Sequence, residues 1–186
     1  MFTLDPRINK KVKAAAEKIY KTNPMFSQVT TTFKGGLAIG SMDGQIRLYS
    51  KVGQNAKTLL PGLGDPIRAI DMSMDAKWVI ATTQTYLLLV PTCFGEDKNG
   101  FEHAMGKNKP QPRKLQIQVK DLAKYKIRTV DFTAARFNQF NSSNLEETSI
   151  VASTGPFIIT WNFKKVAKGL LKAYQIKNTA QSRGSK

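Results

Sequence analysis

GLAIGSMDGQIRLYS (Gly36–Ser50), WVIATTQTYLLLVPT (Trp78–Thr92) and SIVASTGPFIITWNF (Ser149–Phe163) are one strand–turn–strand unit written three times. Each copy is a short run of β-branched and aliphatic residues, a turn, and a second such run ending at an aromatic residue or a proline. PIRAIDMS (Pro66–Ser73) precedes the second copy and KIRTVDFT (Lys126–Thr133) the third, with Ile-Arg, a β-branched residue and Asp at the same offsets. Repeated meanders of three to four strands are the sequence form of a β-propeller. The expected fold is all-β: a partial propeller of about three WD-like, four-stranded blades with flanking N- and C-terminal helices.

Working outward, FSQVTTT (Phe26–Thr32) reads as the first strand of the first blade. Asp43-Gly44 is a hairpin turn, since both of its turn positions favour positive φ. Ala56–Leu60 reads as that blade's fourth strand. Glycine and proline in PGLGDP (Pro61–Pro66) mark a connector between blades. The second blade takes Ile67–Ser73, Lys77–Thr83 and Tyr86–Thr92, then a long polar insertion, Cys93–Pro112, before an edge strand at Lys114–Val119. The third blade starts at Ile127, with a loop over Asn138–Glu147 after its first strand. Central strands such as YLLLV and FIIT are nearly all apolar, as they must be where both sheet faces pack on neighbours. Pro6 to Thr22 has apolar residues at helix-face spacing (Val12, Ala15, Ala16, Ile19, Tyr20), and so does Phe163 to Gln175 (Val166, Leu170, Tyr174). The expected segments are a basic helical one at 1–23, blades at 24–162, a helix at 163–176 and a disordered basic tail at 177–186. Closed propellers have about 4–8 blades. Three blades therefore call for completion by a partner polypeptide or a second copy.

The 186 residues hold 41% hydrophobic and 23% charged side chains, ordinary for a globular chain, with no apolar run long enough for a membrane helix. One cysteine, Cys93, precludes an intrachain disulfide and suits a cytoplasmic setting. The net charge is +16. It is confined to three segments: 1–23 (+4), 107–128 (+7) and 163–186 (+7), which leave −2 for the rest. The candidate contacts to an acidic partner are Lys10, Lys11, Lys13, Lys107, Lys109, Arg113, Lys114, Lys164, Lys165, Lys168 and Lys172. Seven arginines stand against twenty-two lysines, which suits non-specific attraction to a polyanion better than bidentate readout.

Catalysis needs a constellation of residues, and the sequence offers none. His103 is a single histidine in a glycine-containing insertion, without the partners a triad or a metal site requires. GGLAIG (Gly35–Gly40) lacks the spacing of a phosphate-binding loop. Asp71 and Asp131 recur at one repeat position, which assigns them a structural role in satisfying backbone N–H groups. Trp78 and Trp161 read as core. No cofactor and no metal are called for.

GSMDGQIRLYSK, the PGLGDPI connector and DAKWVIATTQTYLLLV resemble the C-terminal domain of the vacuolar import and degradation protein 27 family. DPRI (Asp5–Ile8), Gly100-Phe101 with Met105-Gly106, and VASTGPFIITWNF extend the resemblance from about Asp5 to about Tyr174. It implies a WD-repeat-like propeller in a longer cytoplasmic chain, with no enzyme activity. It also implies protein binding connected with delivery of cytosolic cargo to the vacuole for degradation. The alternative is a basic subunit that binds RNA, microtubules or another polyanion in a large assembly.

Overall fold

The computed structural model describes residues 23–95, 98–139 and 147–180. The first sheet is a meander of β1 (Phe26–Thr31), β2 (Leu37–Ser41), β3 (Ile46–Tyr49) and β4 (Thr58–Leu60), paired in that order. The second takes β5 (Ala69–Met72), β6 (Trp78–Thr82) and β7 (Leu87–Pro91). A two-stranded excursion follows, β8 (Cys93–Phe94) with β9 (Lys98–Asn99), and β10 (Arg113–Leu115) then completes the sheet at the free edge of β7. A short helix, α1 (Val119–Lys124), leads towards the third sheet: β11 (Arg136–Gln139), β12 (Glu147–Thr154), β13 (Phe157–Asn162) and β14 (Tyr174–Asn178), with α2 (Phe163–Val166) between the last two. All pairings are antiparallel. These are the three four-stranded blades that the repeat predicts.

Two apolar layers join the blades. Ala38, Ile46, Leu48 and Leu60 of the first blade meet Ile70, Val79, Ala81, Leu88 and Val90 of the second. Ile80, Leu87, Leu89 and Leu115 on the opposite face of the second blade meet Phe132, Ile150, Ala152, Ile159 and Trp161. The alternation of Leu87 and Leu89 with Leu88 and Val90 sends successive side chains to opposite layers, so one strand needs an unbroken apolar run. Each such side chain contributes about 1.5–3 kcal/mol on full burial. A third cluster, Leu37, Ile39 and Tyr49, is buried on the first blade's other face, with Phe26 and Ala56 packed against it.

The turn at Asp43-Gly44 forms as its residues dictate. The Gln45 N–H donates to Asp43 Oδ1 (3.0 Å), and Gly44 has φ +79°. The turn also carries a packing function. A Cβ on Gly62 would stand 1.9 Å from the Gly44 carbonyl oxygen, so the hairpin and the connector touch backbone to backbone.

Several boundaries differ from the sequence expectation. The segment KIRTVDFT forms no ladder, and the third blade's first strand begins at Arg136. Its backbone groups are satisfied singly instead: the Phe132 N–H by the Gln84 carbonyl (2.9 Å), that of Thr133 by Ser153 (2.9 Å), and that of Asp131 by Thr154 Oγ1 (2.9 Å). Asp71 therefore lies in a strand while Asp131 lies in a connector, and the two are not structural equivalents. Both bridge the second and third blades. Asp71 Oδ2 accepts the Phe137 N–H (3.0 Å), and Asp131 pairs with Arg68 (2.5 Å).

The helix expected over 163–176 is one turn long. Asn162 caps it by accepting the Lys165 N–H (2.9 Å), and Gly169 at φ +93° turns the chain away. The chain then returns as β14, the third blade's outer strand, so ordered β structure reaches Asn178 in what was expected to be a tail. The first blade's last strand begins at Thr58 rather than Ala56. The edge strand expected over Lys114–Val119 shortens to Arg113–Leu115, with Val119 opening α1. The loop expected over Asn138–Glu147 is narrower, since β11 and β12 include its ends. The expected helix at 1–23 lies outside the described residues, apart from Asn23.

Candidate docking surface

In an antiparallel meander alternate connections leave from opposite ends. Contacts between blades show that like ends lie together. At one end the Met74 N–H of the β5–β6 turn donates to Glu147 at the start of β12 (2.8 Å). There too Thr58 Oγ1, at the start of β4, donates to the His103 carbonyl in the insertion (3.1 Å). At the other end the connector at Phe132 meets the β6–β7 turn at Gln84.

The two ends differ in charge. The connections β1–β2, β3–β4, β5–β6, β7–β10, β11–β12 and β13–β14 carry Lys34, Lys51, Lys57, Lys77, Lys98, Lys107, Lys109, Lys164, Lys165, Lys168 and Lys172. Against these eleven stand Asp75 and Glu102 among the described residues; counting also Glu96, Asp97 and Glu146, which the sequence of these connections holds, the net is +6. The connections at the opposite end carry Arg68, Lys120, Lys124, Lys126 and Arg128 against Asp43, Asp65, Asp121 and Asp131, which leaves +1. All eleven lysines are exposed. The fold thus gathers to one end lysines that the sequence scatters over more than 130 positions.

The candidate contacts divide accordingly. Lys107, Lys109, Lys164, Lys165, Lys168 and Lys172 share this end. Lys10, Lys11 and Lys13 lie outside the described residues. Arg113 is turned into the structure, its guanidinium 4.7 Å from the centroid of the Trp78 ring, and Nη1 is buried without a hydrogen-bond partner among the described residues. Burial lowers its pKa from the usual arginine value. Trp78 in turn meets Phe163 edge-on at 6.0 Å, and Phe163 meets Phe137 at 5.1 Å. Trp78 is therefore half-buried and engaged with a cation rather than fully in the core, whereas Trp161 is completely buried. Lys114 lies 4.5 Å from the centroid of the Tyr86 ring, away from the lysine group.

The insertion is not a free polar loop. Phe101 and Met105 are buried in the layer between the first and second blades, and a Cβ on Gly100 would stand 2.6 Å from Met105 Cε and 2.9 Å from Leu48. Glu102, His103 and Ala104 between these anchors, and Lys107 beyond them, face water. Glu147, where the third blade touches the β5–β6 turn, has its carboxyl pushed up by burial, with Asp75 and Asp71 adding in the same direction.

Sequence reading missed Phe33. It sits fully exposed in the β1–β2 turn beside Lys34. The turn is held by the Gly35 N–H to the Thr32 carbonyl (3.0 Å) and the Gly36 N–H to Thr32 Oγ1 (2.8 Å). The signal was an aromatic just before Lys-Gly-Gly, where a turn leaves a side chain no sheet face to join. Among the described residues no group of three or more His, Cys, Asp and Glu side chains could hold a metal ion. No helix there is long and apolar enough to cross a membrane.

Solved structures of similar shape are propellers. The chain matches the structure of U3-55K at TM-score 0.55 and 9% identity, covering 86% of this chain and 41% of that one. It matches the RRP9 WD40 repeats at 0.54 and 9%, over 84% and 39%. The β-propeller domain of Myceliophteria thermophila Cps50 (Swd1) gives 0.50 and 13%, over 76% and 36%. At such identities the likeness establishes the fold. Among curated proteins the chain is 38% identical over 186 residues to vacuolar import and degradation protein 27 of Schizosaccharomyces pombe, and 36% identical over 176 residues to that of Saccharomyces cerevisiae. These alignments take 95% and 89% of this chain but 23% and 22% of the relatives, so the chain spans under a quarter of their length. The family description "VID27 C-terminal WD40-like domain" matches residues 1–183. With three WD-like blades in the structure and this match over almost the whole sequence, the chain belongs to the VID27 family.

Proposed function

We propose that this chain is a non-enzymatic propeller segment that docks other proteins, and that further blades complete it. The observation that carries the reading is the stack itself. Among the described residues only the second blade is covered on both faces by other blades. On its face away from the second blade the first keeps Leu37, Ile39 and Tyr49 buried with Phe26 and Ala56, so the more open face is the third blade's. The third turns Val151, Ile158 and Thr160 away from the shared layer, between polar residues such as Ser153 and Lys177. Sheet faces of this mixed kind are what adjoining blades cover, and three blades fall short of the smallest ring. By membership of the VID27 family the docked complex serves cytosolic cargo destined for vacuolar degradation.

The test is the native mass of the particle that holds this chain, isolated from its source, with identification of co-purifying polypeptides. Recovery with WD-like blades, in one longer polypeptide or in a partner, supports the reading. A stable monomer of this chain alone, with no partner captured by cross-linking, sinks it.

A further inference from the structure

We infer that the lysine-bearing end of the blade stack is a docking surface for an anionic lipid bilayer, with Phe33 as the residue that enters the apolar layer. Three observations carry this, and none depends on how the propeller is completed. The first is the charge, +6 in the connections at this end against +1 at the other, all of it from exposed lysines. Anionic leaflets attract clustered lysines as point charges, without the bidentate geometry that arginine supplies.

The second is Phe33. A fully exposed phenyl ring on an ordered hairpin tip has no partner within the described fold and an unfavourable contact with water. Val52 in the β3–β4 connection and Leu170 beyond α2 are also exposed, standing next to Lys51 and between Lys168 and Lys172. A bilayer interface offers headgroup phosphates at one depth and acyl chains about 5–10 Å below, which suits apolar tips set among lysines. At the opposite end Met42 stands by Asp43, Leu63 near Asp65, and Val119 before Lys120 and Asp121, while at the lysine end the exposed Met74 stands by Asp75.

The third observation separates lipid from nucleic acid. Single-stranded RNA binding relies on a row of open aromatic faces. Here Phe163 contacts both Trp78 and Phe137, and Arg113 occupies the Trp78 face. Phe33 stands apart from that group, a single tip rather than a platform.

The experiment is co-sedimentation of the full 186-residue chain with phosphatidylcholine vesicles, with and without phosphatidylserine, for the wild type and Phe33→Ser. The expected result is binding that requires phosphatidylserine and weakens as salt rises. Phe33→Ser should lower the partition roughly tenfold, the order expected for one aromatic side chain withheld from an apolar phase. Its thermal midpoint should be unchanged because the ring packs on nothing. In a parallel variant, Phe33→Trp, the emission of the new indole should shift to the blue on phosphatidylserine vesicles only. Equal partition of wild type and Phe33→Ser overturns the proposal, as does equal binding to neutral vesicles. Binding to poly(U) at moderate salt without binding to phosphatidylserine would overturn it in favour of nucleic acid.

Discussion

The phenol of Tyr174 closes the third blade with a single oxygen. It accepts the Gln118 N–H (2.8 Å) at the N-terminus of α1 and donates to Asp121 Oδ2 (2.5 Å), while its ring packs on Trp161 at 5.8 Å. Burial, reinforced by the Asp121 hydrogen bond, pushes the phenol up to about 12. Burial and the neighbouring Asp65 carboxylate do the same for Tyr86, also to about 12. A folded-state pKa above the unfolded value means that the fold holds the proton more tightly. That stability is complete below about pH 10 and lost as pH rises from 10 towards 12. Denaturant titrations across this range should show stability falling, and Tyr174→Phe should shallow the fall. At neutral pH the same variant should cost about 1–2 kcal/mol, the order for a partner left unsatisfied. Gly62 is the second residue-scale case. Its α-carbon leaves no room for a methyl group against the Gly44 carbonyl oxygen. Gly62→Ala should cost roughly 2–3 kcal/mol through backbone displacement, whereas Gly64→Ala, with nothing within 4 Å and φ +98°, tests conformational strain alone. Chemical unfolding of the pair checks the distinction.

At the scale of the element, the hairpins of the repeated unit were legible because alternation, β-branching and turn residues agreed there. β14 was not. Val166, Leu170 and Tyr174 fall at helical spacing, and only Tyr174 and Ile176 mark the strand's inward face. Gly169 carries the correct signal, since a positive φ just past a helical turn ends the helix and frees the chain to return. KIRTVDFT failed for the opposite reason. Its residues favour a strand, but its neighbours take its backbone groups one at a time instead of as a ladder. The lysine end was invisible because adjacency of alternate connections is a property of pairing order, not of local sequence. Two outcomes belong to this scale. Asn162→Ala removes the cap of α2 and should cost about 1 kcal/mol by thermal melting. Ending the chain at Lys172 strips β14 from β13 and exposes the Trp161 edge. That form should scatter light at concentrations where the full chain stays clear.

For the whole molecule the second blade is decisive, because it alone supplies both apolar layers. Ile80 is fully buried and faces the third blade, while Val79 beside it faces the first. Ile80→Ala should cost about 2–4 kcal/mol and weaken one layer without touching the other. Calorimetry should then resolve two transitions where the wild type shows one, with the third blade melting first. A single shifted transition would show that the blades do not separate thermally. Each sheet is also contiguous in sequence, since none borrows a strand from another blade. During synthesis the first sheet therefore has all its strands once Leu60 has left the ribosome, well before the second and third exist. It must nevertheless hold Leu48 partly bare until Phe101 and Met105 arrive some forty residues later. The nascent chain passes through an interval in which its sheets are formed ahead of the side chains that seal them, and a chaperone would find its foothold there.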